Sequence, residues 1–211
     1  MPRLLDIGLN ELVSMTKRMS DAAEEAISIA VNAYLEGKNV RDDVYEKSMK
    51  LKELKDDVKD LALELIMRYQ PVAIDLRTIE SMLDASYGFS RFSRYALDIA
   101  DLTNKLGNLT ECDHTKIRHA LSIVQWMVSK SIEAFETKNV ELAKEVIKKD
   151  DEIDEIYNES LTNAAQMGKV KDIRCVIADI LVIRYLERIG DHACQIASAV
   201  GYVVEGKYLP T

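Results

Sequence analysis

Glycine and proline are scarce, at eight and three residues in a chain of 211, so little in it interrupts a helix. Ala, Leu, Ile, Glu, Lys and Asp are abundant instead, and helix is expected almost throughout. A surplus of positive charge is missing too. The formal net charge of −8 excludes the basic stripe that a nucleic-acid surface needs and suits solvated outer faces or the capture of a cation. No apolar run reaches the roughly 18 residues of a membrane-spanning helix, and no basic amphipathic stretch points to direct insertion into or adsorption on a membrane. Met1-Pro2-Arg3-Leu4-Leu5-Asp6 lacks the apolar core of a secretion signal, so a cytoplasmic location is expected. Cys112, Cys175 and Cys194 are odd in number and widely spaced. They are therefore expected as packed or surface thiols, with neither a disulfide framework nor a zinc knuckle. Catalytic signatures are absent as well: no P-loop, no Gly-rich dinucleotide turn, no serine or cysteine in a nucleophile motif. Cys112-Asp113-His114 offers two soft ligands without two more. The Glu-x-x-His pairs of helical-bundle oxidases are also missing. An enzyme is not expected.

What is present is a period near 3.6. Leu12, Met15, Met19, Ala22, Ala26, Ile29 and Ala33 mark a first helix, with Asn10 as its cap and Gly37 as its end. A second is expected from about Asn39 to Asp42 up to Gln70-Pro71, because proline disfavours helix in the residue before it. A third runs from about Val72 to Leu106. The polar, turn-forming stretch from Asn108 to Asp113 connects it to a second half. There the pattern restarts: about His114 to Lys138, about Val140 to Met167 with a stop at Gly168, and about Val170 to Val204. Residues 206–211 are expected to be loosely held.

The halves read as copies. Lys38-Asn39-Val40 answers Lys138-Asn139-Val140, and residues 89–100 lie on 186–197 without gaps, Arg91 falling on Arg188. Three antiparallel helices can close a core by themselves, so the expected fold is all-α: two repeated three-helix bundles, 1–107 and 108–211, packed together.

In the sixth helix Val182, Leu186, Ile189, Ala193, Ile196 and Val200 form an apolar seam. Glu187 and Asp191 lie off it, one turn apart, where like charges repel. Asp150 and Glu187 are both about eighteen residues from the turn at Gly168, so Asp150, Asp154, Glu187 and Asp191 stand at matching heights on neighbouring helices. Their expected arrangement is an open acidic patch on the bundle surface. Hard cations want such oxygens, and Mg, Ca, Mn or Fe would suit. A solvated acidic face, or ion pairs from Glu187 to Arg184 or Arg188, would use the same residues without a metal. His192 is a further ligand candidate beside Asp191. At the matching height in the first half stand Ser48, Lys52, Ser90 and Arg94, where the cations would repel an ion.

Leu186-Glu187-Arg188-Ile189-Gly190-Asp191-His192-Ala193, with residues 150–157 before it and Gln70-Pro71-Val72-Ala73-Ile74-Asp75-Leu76-Arg77 in the first half, resembles the PhoU family over nearly the whole chain, including the closing residues 203–207. The resemblance implies a cytoplasmic, often dimeric protein of two three-helix bundles. It implies surface metal binding at Glu/Asp-x-x-x-Asp motifs, here Asp150 with Asp154 and Glu187 with Asp191, and a first-half metal motif that has been lost. It further implies regulation of phosphate uptake by contact with a phosphate ABC transporter, through its ATPase subunit, and with its sensor kinase. An accessory subunit of another ion transporter or channel, and a metal-binding structural protein, are the competing expectations.

Overall fold

The computed structural model describes residues 3–166 and 172–211. Six helices follow one another: α1 (Leu4–Glu36), α2 (Arg41–Tyr69), α3 (Ile74–Leu106), α4 (Thr115–Thr137), α5 (Val140–Gln166) and α6 (Ile173–Glu205). They form two antiparallel three-helix bundles, α1–α3 and α4–α6, with α3 packed on α6 and α1 on α4 between the halves. The expected turn at Gly168, and the helix limits at Met167 and Val170, lie outside the described residues.

The seams lie where the period put them. Val182, Leu186, Ile189, Ala193, Ile196 and Val200 of α6 are buried, as are Leu12, Met15, Met19, Ala26 and Ala33 of α1, whereas Ala22 and Ile29 are only half-buried beside the buried Ala23, Ile27 and Ala30. Helix α1 differs from expectation in starting at Leu4 and not after Asn10. Asp6 supplies the reason. Its carboxylate accepts from the Arg3 backbone N–H at 3.0 Å, and it pairs with the Arg3 guanidinium, so the cap falls at Arg3 in place of Asn10. At the other end Gly37 takes φ 67°, and Lys38 N–H bonds the Ala33 carbonyl at 2.8 Å. The second bundle repeats the device with Lys138 at φ 53° and Asn139 N–H on the Ala134 carbonyl at 2.9 Å.

Between α2 and α3, Gln70 closes α2 in the left-handed region, Pro71 is buried, and Ala73 adopts φ 49°, ψ −122°. That is the first central position of a type II′ turn, which glycine favours and a Cβ opposes. Such a residue costs of the order of 1–3 kcal/mol. Ala73→Gly is therefore expected to raise stability by about 1 kcal/mol, read as a higher urea midpoint with an unchanged slope; a lower midpoint would show that the turn is relaxed.

Two further expectations are corrected. Cys112 and Cys175 form a disulfide, with Cα atoms 5.8 Å apart and only Cys194 free and buried. Odd parity hid a pair between residues 63 apart that the fold brings together where the connector meets the start of α6. The connector is held there by other bonds as well: Leu109 is buried, and Arg174 donates to the Leu106 carbonyl at 3.3 Å. The tail is not loose either. Ser198 Oγ donates to the Leu209 carbonyl, Leu209 N–H returns a bond to the Ser198 carbonyl at 3.2 Å, and Tyr208 stacks on Tyr202 at 4.5 Å. Gly201 makes the space: a Cβ there would lie 2.7 Å from the Leu209 side chain and 2.8 Å from the Lys207 carbonyl.

Candidate metal centre on helices α5 and α6

Helices α5 and α6 pack closely because α6 carries Gly190 at their crossing. A Cβ on Gly190 would stand 3.1 Å from Asp150 Oδ1 and 3.4 Å from the Ile153 side chain. Its absence lets the α5 carboxylate rest against the α6 backbone. Asp154 is one turn away on the same face of α5, and Glu187 and Asp191 flank Gly190 on α6.

The electrostatics bring all four together. Burial pushes the Asp150 carboxyl up to about 6, helped by the charges of Asp154 and then Asp191. Asp154 is raised by burial and by Asp191. Glu187 is raised by burial and by Asp191, against the pull of Arg184 and Arg188. Burial leads for each of these three acids, and each also feels Asp191, a repulsion of neighbouring carboxylates that the arginines offset only in part.

The patch is less open than its spacing suggests. Glu187 is 7% exposed and Asp150 is half-buried, because the Gly190 crossing draws the helices together over them. The arginine alternative is also realised: Glu187 pairs with Arg184, and Asp191 with Arg188 at 3.4 Å. With the side chains so turned, no group of three or more His, Cys, Asp or Glu among the described residues stands in position to hold an ion. Of the four acids' oxygens, Asp150 Oδ1 and Glu187 Oε2 are buried without a hydrogen bond among the described residues, Arg188 Nε lying 4.0 Å from the latter. Leaving a buried carboxylate oxygen unsatisfied is costly. An all-oxygen donor set with two such atoms fits a hard cation.

His192 is not part of this cluster. It faces α3, 6.1 Å from Phe92 and 6.2 Å from Tyr95 between ring centres, and bonds Gln195 Oε1 at 3.1 Å. The first bundle builds the same crossing from other atoms. Ser93, which overlays on Gly190, meets Ser48 of α2 at 3.1 Å between hydroxyls, and Arg94, in the place of Asp191, pairs with Asp98 at 3.1 Å. Ser48 thus stands opposite Ser93 as Asp150 stands opposite Gly190.

Sequence reasoning missed a second polar cluster, between the bundles. Asp179 of α6 accepts from Tyr34 of α1 at 3.0 Å and contacts His114 Nδ1 at 3.2 Å, while His114 Nε2 meets the Leu109 carbonyl at 3.0 Å. These residues are far apart in sequence and share no motif. Cys112-Asp113-His114 is likewise committed, to the disulfide and to this cluster.

The comparisons fit this architecture. The chain is 28% identical to "Phosphate-specific transport system accessory protein PhoU homolog 1" of Methanothermobacter thermautotrophicus, over 92% of each protein. It is 29% identical to the PhoU homolog of Pseudomonas aeruginosa over 94% of this chain and 84% of that protein. The crystal structure of PhoU from Pseudomonas aeruginosa superposes with a TM-score of 0.89 at 28% identity, covering 96% of this chain and 99% of that one. The PhoU structure from Streptococcus pneumoniae, at 18% identity and a TM-score of 0.89, shares the fold. The PhoU domain model matches twice, at residues 16–103 and 117–200, and with both halves so matched the chain belongs to the PhoU family.

Proposed function

We propose that this chain is a regulatory accessory protein of phosphate uptake and phosphate homeostasis. It works in the cytoplasm, as a homodimer, by contact with a phosphate ABC transporter through its ATPase subunit, its sensor kinase or both, and it catalyses no reaction. The observation that carries this reading is the family match in both bundles. Full-length relatives whose names place them as accessory proteins of a phosphate-specific transport system support it. No helix among the described residues is long and apolar enough to cross a membrane, in keeping with action from beside a transporter.

Asp150, Asp154, Glu187 and Asp191 hold a divalent or trivalent ion, Fe, Mn, Mg or Ca, in the same reading. Two orphaned oxygens and the mutual repulsion of the acids support it. A bound ion would add positive charge beside Asp150 and Asp154, whereas Glu187 and Asp191 already pair with Arg184 and Arg188. The protein's own part is to hold the acids on two rigid helices and to keep Asp150 close through Gly190.

The function is tested in cells lacking the chain. Phosphate uptake in phosphate-rich medium is expected to rise several-fold and to return on complementation. Uptake unchanged by the deletion would refute a role in its control.

A further inference from the structure

Where the two bundles meet, α3, α6 and the tail enclose a cleft of about 380 Å³, a volume within the range of small-ligand pockets. Its floor is buried and largely apolar, with Ala85 and Gly88 of α3 set against Ile196 of α6. Gly88 keeps the helices near one another: a Cβ there would stand 3.7 Å from the Ile196 side chain. Asp84, Tyr87 and Tyr208 form the exposed rim.

Ser81 is the exception on that floor. It is 1% exposed, and its Oγ has no hydrogen-bond partner among the described residues. The other buried hydroxyls of α3 satisfy themselves: Thr78, Ser86 and Ser93 donate to carbonyls three or four residues earlier in the same helix. Ser81 does not, and it lines a space in which a partner can stand. A hydroxyl withdrawn from water and left unpaired is costly.

The rim sets the sign of that partner. Burial, and then the charge of Glu80 one turn before it, push the Asp84 carboxyl up, and no cation pulls it back. No side chain lining the cleft belongs to Lys or Arg. Arg77 and Arg91, on the turns of α3 to either side, are engaged elsewhere: Arg77 donates to the Val203 carbonyl at 3.2 Å, and Arg91 lies over the Tyr95 ring. Tyr87 and Tyr208 add aromatic faces, which attract cations, and Tyr208 is fixed by its stack on Tyr202. Such a rim repels an anion and draws an ammonium group. The floor, by contrast, has no charge to pair with a buried ion and one hydroxyl to pair with a neutral polar group.

We propose that this cleft binds a small organic cation of the amino-alcohol class, with its ammonium held by Asp84 and the Tyr87 and Tyr208 rings and its hydroxyl on Ser81 Oγ. The carbon chain between them lies along Ala85 and Ile196. An occupant there ties both bundles and the tail together. The site lies on the face of α6 turned to α3, uses none of the acids of the candidate metal centre, and does not depend on the accessory role.

Isothermal titration of the full chain tests it, in chelator and at about pH 8, where imidazole is neutral. The titrants are 5-amino-1-pentanol, n-pentylamine and 1,5-pentanediol. The amino alcohol is expected to bind saturably and to raise the melting temperature. Pentylamine should bind several-fold more weakly and the diol roughly tenfold more weakly. Asp84→Asn should cost the amino alcohol roughly tenfold. Ser81→Ala should erase its advantage over pentylamine and leave the ligand-free melting temperature unchanged or higher, because the hydroxyl removed had no partner. No saturable binding of the amino alcohol, or equal binding of the diol, overturns the proposal. Full affinity in Asp84→Asn, or an advantage over pentylamine that survives Ser81→Ala, does the same. Glu187→Gln with Asp191→Asn is expected to bind like the parent; a loss there and not in Asp84→Asn would place the ammonium on the acids of α5 and α6 and overturn the cleft.

Discussion

Protein treated with a reductant is expected to melt about 10 °C below untreated protein. Cys112 and Cys175 close a loop between residues 63 apart. Removing that cross-link returns loop entropy to the unfolded chain worth about 4 kcal/mol on the chain-entropy model, and for a chain of this length each kcal/mol moves the midpoint by roughly 2–4 °C. Cys112→Ser and Cys175→Ser should each reproduce the loss without reductant, and the two together should lose no more than either alone, since each breaks the same bond. Equal melting with and without reductant, or three titratable thiols in unreduced denatured protein, would contradict the pair. The bond matters for location too. Cytosolic glutathione keeps most thiols reduced, and intracellular disulfides of a structural kind are a feature of hyperthermophiles.

Replacing Asp150 by Asn is expected to stabilise metal-free protein at pH 7 by about 1–2 kcal/mol while weakening metal retention. Asp150 stands at about 6 in the fold against an ordinary 3.8. Between those values the folded chain keeps a proton that the unfolded chain has lost, so stability falls as pH rises through this window and stays lost above it. The full shift would correspond to about 3 kcal/mol; the half-exposed side chain and solvent screening reduce it to the smaller figure. The parent should therefore gain stability on acidification from pH 7 to about 5 in chelator, and Asp150→Asn should flatten that dependence. A bound cation reverses the sign, because it favours the ionised carboxylate. Elemental analysis of protein purified without chelator should find the ion, and Glu187→Gln with Asp191→Asn should lose it. Full retention in that double variant would remove the site, while a pH profile unaltered by Asp150→Asn would remove only the account of its burial.

How far the chain could be read depended on whether a feature was periodic. The α6 seam from Val182 to Val200 repeats every three to four residues and was legible, as was the stop at Gln70-Pro71, where the backbone chemistry of proline acts locally. Helix α1 was read short because Asn10 looks like a cap, whereas a bond pair from Asp6 to Arg3 starts the helix sooner. The heights of Asp150 and Glu187 follow from counting out of a turn. The burial of Glu187 does not, since it depends on how closely two helices cross, and that distance is set by the missing side chain of Gly190. The motif around Gly190 was visible; what its hydrogen makes room for required coordinates. Long-range partners such as Cys112 with Cys175, or Tyr34 with Asp179, leave no local pattern.

The segment that follows α6 doubles back and seats Leu209 in the notch at Gly201. It acts as a stopper for the final turns of that helix, covering surface at Ser198, Gly201 and Tyr202 that would otherwise be wetted. A version of the protein trimmed at Glu205, as helix limits alone would recommend, would therefore lose a piece of its interior and not an idle appendage.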